Sequence, residues 1–314
     1  GDVYKRQVMR GLRLLQKHGV EHNILVAVNR TNASHPLEVY RFLRDEAKAT
    51  WIQLIPVVER IDDKGHTIYQ KGTRISERSV RAEQFGRFLI QIFDEWIRHD
   101  VGRVYVQTFE AAVRNWLRMP SSGMCVFDET CGLGLALEHN GDLYSCDHFV
   151  EPDYLLGNIV DTPMIELVSS QRQRRFGLAK RDTLPRYCRE CEVRFACHGE
   201  CPKNRFMTAP DGEPGLNHLC AGWKAFFHRA DEPIQMIATL MRMGRPASDI
   251  MGIMAGKEEE WQTALSRARA RKRGDDDCPC GSRLKYAQCH GWVPPKRGRK
   301  RRGTGARRPR PPVR

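Results

Sequence analysis

Four cysteines fall within the fourteen residues "CRECEVRFACHGEC" (188–201), separated by two, five and three residues, and seven more are spread over the rest of the 314-residue chain. Thiols that dense constrain a fold more than any hydrophobic pattern, because they must pair, bind metal or be buried as inert groups. No run of eighteen apolar residues occurs and no charged-then-apolar leader opens the chain, so neither a membrane span nor a secretory route is indicated and the expected location is cytoplasmic. In that reducing compartment thiols persist, and a clustered set points to metal rather than to disulfides. The odd count of eleven also argues against complete internal pairing.

Cys278, Cys280 and Cys289 lie together near the C-terminus, which leaves Cys125, Cys131, Cys146, Cys188, Cys191, Cys197, Cys201 and Cys220. Eight soft sulfur donors meet the needs of two four-cysteine iron–sulfur clusters. Two zinc ribbons need the same number, and spacing alone leaves both open beside a third reading of buried structural thiols.

Upstream of the cysteines the chain has an α/β rhythm. "NILVAV" (23–28) reads as a buried strand, "HPLEVYRFLRDEA" as a helix and "WIQLIPVV" (51–58) as a second strand, an alternation that predicts a parallel sheet. Phe85, Phe88, Leu89, Ile92, Phe93, Trp96 and Ile97 recur at helical spacing and predict one face laid on a core. A short strand at 104–107 and a helix at 109–118 follow. In "LALEHNGDLYSC" the Asn140-Gly141 pair predicts a hairpin that returns Cys146 toward Cys131. Residues 234–273 read as helical, with five of the ten methionines placed to fill a core or a partner groove.

The net charge of +14 sits mostly in residues 294–314, which carry ten Lys or Arg and no acid and leave +4 for the body. That tail has nothing apolar to bury, so disorder is expected, with RNA contact by counterion release as one use and a solubilising extension as the other. The opening "GDVYKRQ" resembles translated adapter sequence, and residues 1–7 are expected to be non-native.

The cysteine order, C-x5-C-x14-C, then C-x2-C-x5-C-x3-C, then a last cysteine, resembles the SPASM domain of radical S-adenosylmethionine peptide-modifying enzymes, in particular the anaerobic sulfatase-maturating enzymes. The similarity covers about residues 20–230 and takes in "WIQLIPVVER", "DLYSCDHFV", "LLGNI" and "CHGECPKNRF". It implies an α/β fold, the C-terminal part of a partial (β/α)6 barrel over 8–120, then an auxiliary-cluster SPASM domain over 121–233, a helical linker over 234–273, a zinc motif over 274–293 and the tail. One [4Fe-4S] cluster would be held by Cys125, Cys131, Cys146 and Cys201, and a second by Cys188, Cys191, Cys197 and Cys220. Asp147 matches the general base of the family, a role that fits a carboxylate whose pKa a low-dielectric site raises; the bland alternative is a loop aspartate capping a backbone amide. His139, His148, His198 and His218 read as surface or hydrogen-bonding residues, since the cysteines suffice.

The resemblance further implies oxidation of a sulfatase Cys or Ser to Cα-formylglycine, with S-adenosylmethionine and a third cluster as cofactors and flavodoxin or ferredoxin as electron donor. No C-x3-C-x2-C triplet for that third cluster occurs: Asn204 stands where the last cysteine after Cys197 and Cys201 would be. The triplet is expected upstream of this fragment, which alone should be inactive. "CPCGSRLKYAQCHG" resembles the SEC-C motif and implies a closed zinc set of Cys278, Cys280, Cys289 and His290, an adaptor for protein or ribosome contact. The alternatives are another SPASM peptide maturase and a zinc-dependent protein- or RNA-binding module.

Overall fold

The computed structural model describes residues 2–66 and 72–256. Helix α1 (Asp2–Lys17) takes in most of the adapter-like start. It is followed by β1 (Ile24–Val28), α2 (Pro36–Arg41), β2 (Trp51–Pro56), the short β3 (Arg60–Ile61) and β4 (Arg74–Ile75), α3 (Ala82–His99), β5 (Tyr105–Val106) and α4 (Gln107–Trp116). Strands β1, β2 and β5 lie side by side in that order and pair in parallel, with Ile24 opposite Ile52 and Trp51 opposite Tyr105. Helix α2 opens on Pro36, a ring preset for the first helical turn, and runs on into a π-helical turn at Phe42–Glu46.

Strand β1 departs from the expected buried run. Alternate residues of a strand face opposite sides. Ile52 and Leu54 of β2 turn to the helical side and are buried, whereas Leu25, Trp51 and Ile55 remain 62%, 45% and 38% exposed. Parallel sheets ordinarily have both faces covered. Trp51 and Tyr105 stack at 4.5 Å across neighbouring strands of this sheet.

The seven residues of the helical stripe in α3 are all buried. They meet an aromatic core in which Phe93 lies edge-on to Phe109 at 5.2 Å and to Phe226 at 5.8 Å. Phe226 belongs to a long helix that starts at Cys220.

The cysteine-rich part has short elements: β6 (Ala136–Leu137), β7 (Asp142–Tyr144), β8 (Leu155–Asn158), α5 (Met164–Ser169), α6 (Gln171–Asp182), α7 (Arg186–Arg189), α8 (Arg194–Cys197), β9 (Met207–Thr208) and β10 (Pro214–Leu216). Then come α9 (Cys220–Arg242) and α10 (Asp249–Met254). Strands β6, β7 and β8 form an antiparallel meander, and the Asn140-Gly141 turn closes its first hairpin as expected, with Gly141 at φ +91°. Helix α9 begins well before residue 234, where the helical stretch was expected to start. Pro233 lies inside it, at a position where proline ordinarily marks a boundary. The helix packs on α3 so closely that a Cβ on Gly86 would stand 2.7 Å from the Gly222 Cα. Among the described residues no helix is long and apolar enough to cross a membrane.

Candidate functional site: eight free cysteines in two sets

The loop carrying Cys125 is nailed to the aromatic core by the residue two places on. Phe127 is fully buried, edge-on to Trp223 at 4.9 Å. Cys131 and Cys146 arrive on separate loops that one side chain ties together: Gln173 Nε2 donates to Gly132 O at 2.9 Å and to Ser145 O at 3.1 Å. Helix α6 presses on the same place, because Gly177 leaves room for the Cys131 carbonyl, which an added Cβ would meet at 2.5 Å. Cys188 lies in α7, Cys197 ends α8, and Cys220 opens α9.

All eight described cysteines are free. Burial pushes each thiol up, Cys146 to about 12 and Cys220 to about 11. Their mutual influence divides them. Burial raises Cys201 most, and the sulfurs that add to it are those of Cys131 and Cys146. Burial likewise leads for Cys197, followed by Cys220 and, more weakly, Cys188. Cys197 and Cys201, with three residues between them in the chain, face different neighbours. Cys188, Cys191, Cys197 and Cys220 also line one cavity, with Tyr187 and Lys224 on its wall.

These donors fit a four-sulfur metal group. A buried thiol without a partner is held neutral, and a cation that replaces its proton removes the cost of placing charge there. Four sulfurs around one cavity are the donor set of a [4Fe-4S] cluster, while tetrahedral zinc takes the same number.

Asp147 lies beside the first set. Its Oδ1 accepts from the Cys146 thiol at 3.2 Å, its backbone N–H donates to Gly134 O at 3.0 Å, and its side chain is exposed. Donor atoms of Cys146, Asp147 and His148 lie within 4.8 Å of one another. His148 Nδ1 is 3.5 Å from Cys201 Sγ, so this histidine touches two sulfur loops. His139 stands exposed beside Glu138, and His218 stacks on Phe206 at 5.5 Å with Nε2 3.2 Å from Val80 O. His198 contributes its carbonyl, which accepts from Arg205. Cys278, Cys280, Cys289 and His290 lie outside the described residues.

Several residues that shape the site were not legible in advance. Gln173, Gly177 and Lys180 form one buried face of α6, yet "QRQRRFGLAKRD" reads as a solvated helix. The available signal was their spacing of four and three, which puts them on one stripe. Glu200 is buried and Arg205 half-buried beside the cysteines, and nothing in their polar sequence surroundings marks either.

An α/β layer joined to a domain that gathers eight free cysteines has the architecture of a thiolate metal-binding protein. Residues 130–192 match the SPASM family model, described as an iron–sulfur cluster-binding domain, and residues 276–291 match the SEC-C motif. The SPASM match includes Cys131, Cys146, Cys188 and Cys191 and favours iron over zinc for these sulfurs. The serine-type anaerobic sulfatase-maturating enzyme of Bacteroides thetaiotaomicron is 43% identical over 257 residues, 80% of this chain and 62% of that enzyme. The cysteine-type enzyme of Clostridium perfringens is 28% identical over 73% of this chain and 59% of its own length. A solved structure, native anSMEcpe with bound AdoMet and Cp18Cys peptide, superposes with a TM-score of 0.63 at 26% identity, covering 75% of this chain and 63% of that one. The chain is thus homologous to anaerobic sulfatase-maturating enzymes in sequence and in fold, and it spans about three fifths of the length of these two relatives.

Proposed function

We propose that the protein is an anaerobic sulfatase maturase, acting on a Cys or Ser of a sulfatase polypeptide to leave Cα-formylglycine. The observation that carries the reading is the pair of four-thiol sets in a chain 43% identical to an enzyme of that activity. Cys125, Cys131, Cys146 and Cys201 would hold one auxiliary cluster, and Cys188, Cys191, Cys197 and Cys220 the other; the division of Cys201 from Cys197 supports that pairing. When bound, S-adenosylmethionine and the iron–sulfur groups supply one-electron oxidising chemistry at the target Cβ and a path for the surplus electron, with a low-potential donor such as flavodoxin or ferredoxin outside the chain.

The chain's own residues would manage the proton and the peptide. The Asp147 carboxylate is exposed and anchored next to Cys146, placed to accept the proton of the target thiol or hydroxyl, and an extended peptide laid over it would exclude water at that moment. Free thiols in this number suit a reducing compartment such as the cytoplasm. The SEC-C segment would hold zinc through Cys278, Cys280, Cys289 and His290, and the basic tail would give contact with RNA or the ribosome.

The decisive experiment is Asp147→Asn in the intact enzyme with a sulfatase peptide, read by mass spectrometry for formylglycine and by iron content. Abolished formylglycine with iron unchanged is expected. Undiminished turnover would remove Asp147 from the mechanism, and a different product on the peptide would make the protein another kind of SPASM maturase.

A further inference from the structure

Two cations lie among the cysteines, Lys180 buried and Arg205 half-buried, and among the described residues neither is within ion-pair distance of a carboxylate. Lys180 is 1% exposed, and its ammonium donates to Cys125 O at 2.6 Å and Val126 O at 2.9 Å. Arg205 donates from Nε to Gly199 O at 2.9 Å, from Nη1 to Lys180 O at 2.6 Å, and from Nη2 to His198 O at 2.8 Å and Glu200 O at 3.0 Å. His198, Gly199 and Glu200 are all left-handed, with φ of +46°, +72° and +52°, and so turn three successive carbonyls onto one guanidinium. Those residues are the spacer between Cys197 of one set and Cys201 of the other. Arg205 therefore sits at the junction of the two sets.

A buried cation held only by neutral carbonyls leaves its charge uncompensated. The two cations sit at different places: Lys180 is fixed on the Cys125 loop of the first set, and Arg205 on the spacer between the two sets. Burial lowers the Lys180 ammonium most, and Cys131, Glu200 and Cys201 act against it. Burial likewise lowers Arg205, opposed by Cys188, Cys197, Glu200 and Cys131, cysteines of both sets among them. The nearby Glu200 carboxylate is buried as well and hydrogen-bonded by the Asn204 and Asn217 amides, and it acts on both cations without pairing directly with either.

We propose that Lys180 and Arg205 are residues whose fixed charges set the reduction potentials of the auxiliary clusters, Arg205 acting on both and Lys180 on the one held by Cys125, Cys131, Cys146 and Cys201. The inference rests on the iron–sulfur reading above. A cluster gains negative charge on reduction, so a fixed cation nearby favours the reduced form and raises the potential. Together the two residues would keep both clusters reducible enough to accept an electron while buried in a low-dielectric site.

The test is an EPR-monitored redox titration of the anaerobically reconstituted protein and its Lys180→Met, Arg205→Gln and Arg205→Lys variants, with iron and sulfide counted in each. Lys180→Met should move one midpoint to more negative potential and leave the other in place. Arg205→Gln should lower both, and Arg205→Lys, which keeps the charge, should lie near wild type. Full iron loading with unmoved midpoints in Lys180→Met and Arg205→Gln would overturn the proposal and reduce both side chains to structural straps. Should Arg205→Gln fail to load iron, the Lys180→Met titration decides alone: one shifted midpoint upholds the proposal and none sinks it. Wild-type protein that takes up no iron would instead refute the cluster reading itself, and the proposal with it.

Discussion

Left-handed backbone at a non-glycine residue costs roughly 1–2 kcal/mol, so His198 and Glu200 together ask for about 2–4 kcal/mol before any contact is counted. Arg205 makes four hydrogen bonds to carbonyls from a charged donor, each worth about 1.5–3 kcal/mol, and the guanidinium therefore wins. Gly199 is required in the middle, because a Cβ there would stand 2.7 Å from Arg205 Nη2 and also strike Leu184. A second polar cluster, far from the cysteines in sequence, ties α2 to α3. Tyr40 OH donates to Asp100 Oδ2 at 2.9 Å, Arg44 Nη1 bridges Asp100 at 3.0 Å and Glu95 at 3.3 Å, and Arg41 meets Glu95 at 3.1 Å. The hydrogen bond from Arg41 and the charge of both arginines hold the Glu95 carboxyl below the ordinary range, against the opposing effect of burial. The native state then binds fewer protons than the unfolded chain, so this stabilisation is complete above the unfolded value near ~4.3 and is lost as pH falls toward the folded one. Glu95→Gln should melt below wild type at about pH 6, and the gap should narrow as pH falls below about 4. A gap independent of pH in thermal melts would mean that Glu95 contributes shape and not charge.

At the scale of elements, the crossing of α3 and α9 positions half of the site, because α9 starts with the ligand candidate Cys220. Glycine inside a helix costs roughly 0.5–1 kcal/mol relative to alanine, which on propensity alone would make Gly222→Ala stabilising. Packing reverses the sign: a Cβ on Gly222 would run into the Ala82 carbonyl, a backbone atom that cannot turn aside. Gly222→Ala should lower stability by about 1–3 kcal/mol in denaturant unfolding and, by shifting the start of α9, reduce iron uptake toward half. Unchanged stability and full iron would show that the helices separate freely. The apolar stripe of α3 was legible in the sequence because helical period and burial coincide from Phe85 to Ile97. The mating glycines were not, since a residue without a side chain leaves no pattern, and its meaning lies in a partner helix more than a hundred residues away.

For the molecule as a whole, the sequence made the cysteines conspicuous but left their partition to resemblance, because spacing along a chain does not say which sulfurs share a space. What unites them is a set of side chains with no motif: Phe127 into the core, Gln173 across two loops, and Lys180 and Arg205 onto carbonyls. The elements they gather are short. Strands β6 to β8 have two to four residues and helices α7 and α8 four each, lengths that do not persist in isolation. Helices α3, α4 and α9 rest instead on the shared aromatic core and need no metal to stay together. A group that binds only the folded form stabilises it by about 2.7 kcal/mol when present at 100 times its dissociation constant. Removing iron should therefore act unevenly. Hydrogen exchange of chelated against reconstituted protein is expected to lose protection over residues 125–220, while the amides of α3, α4 and the buried stretch of α9 keep theirs. Equal protection in both samples would mean that the eight thiols pack as inert side chains and that the cysteine-rich domain is ordered by its polar straps alone.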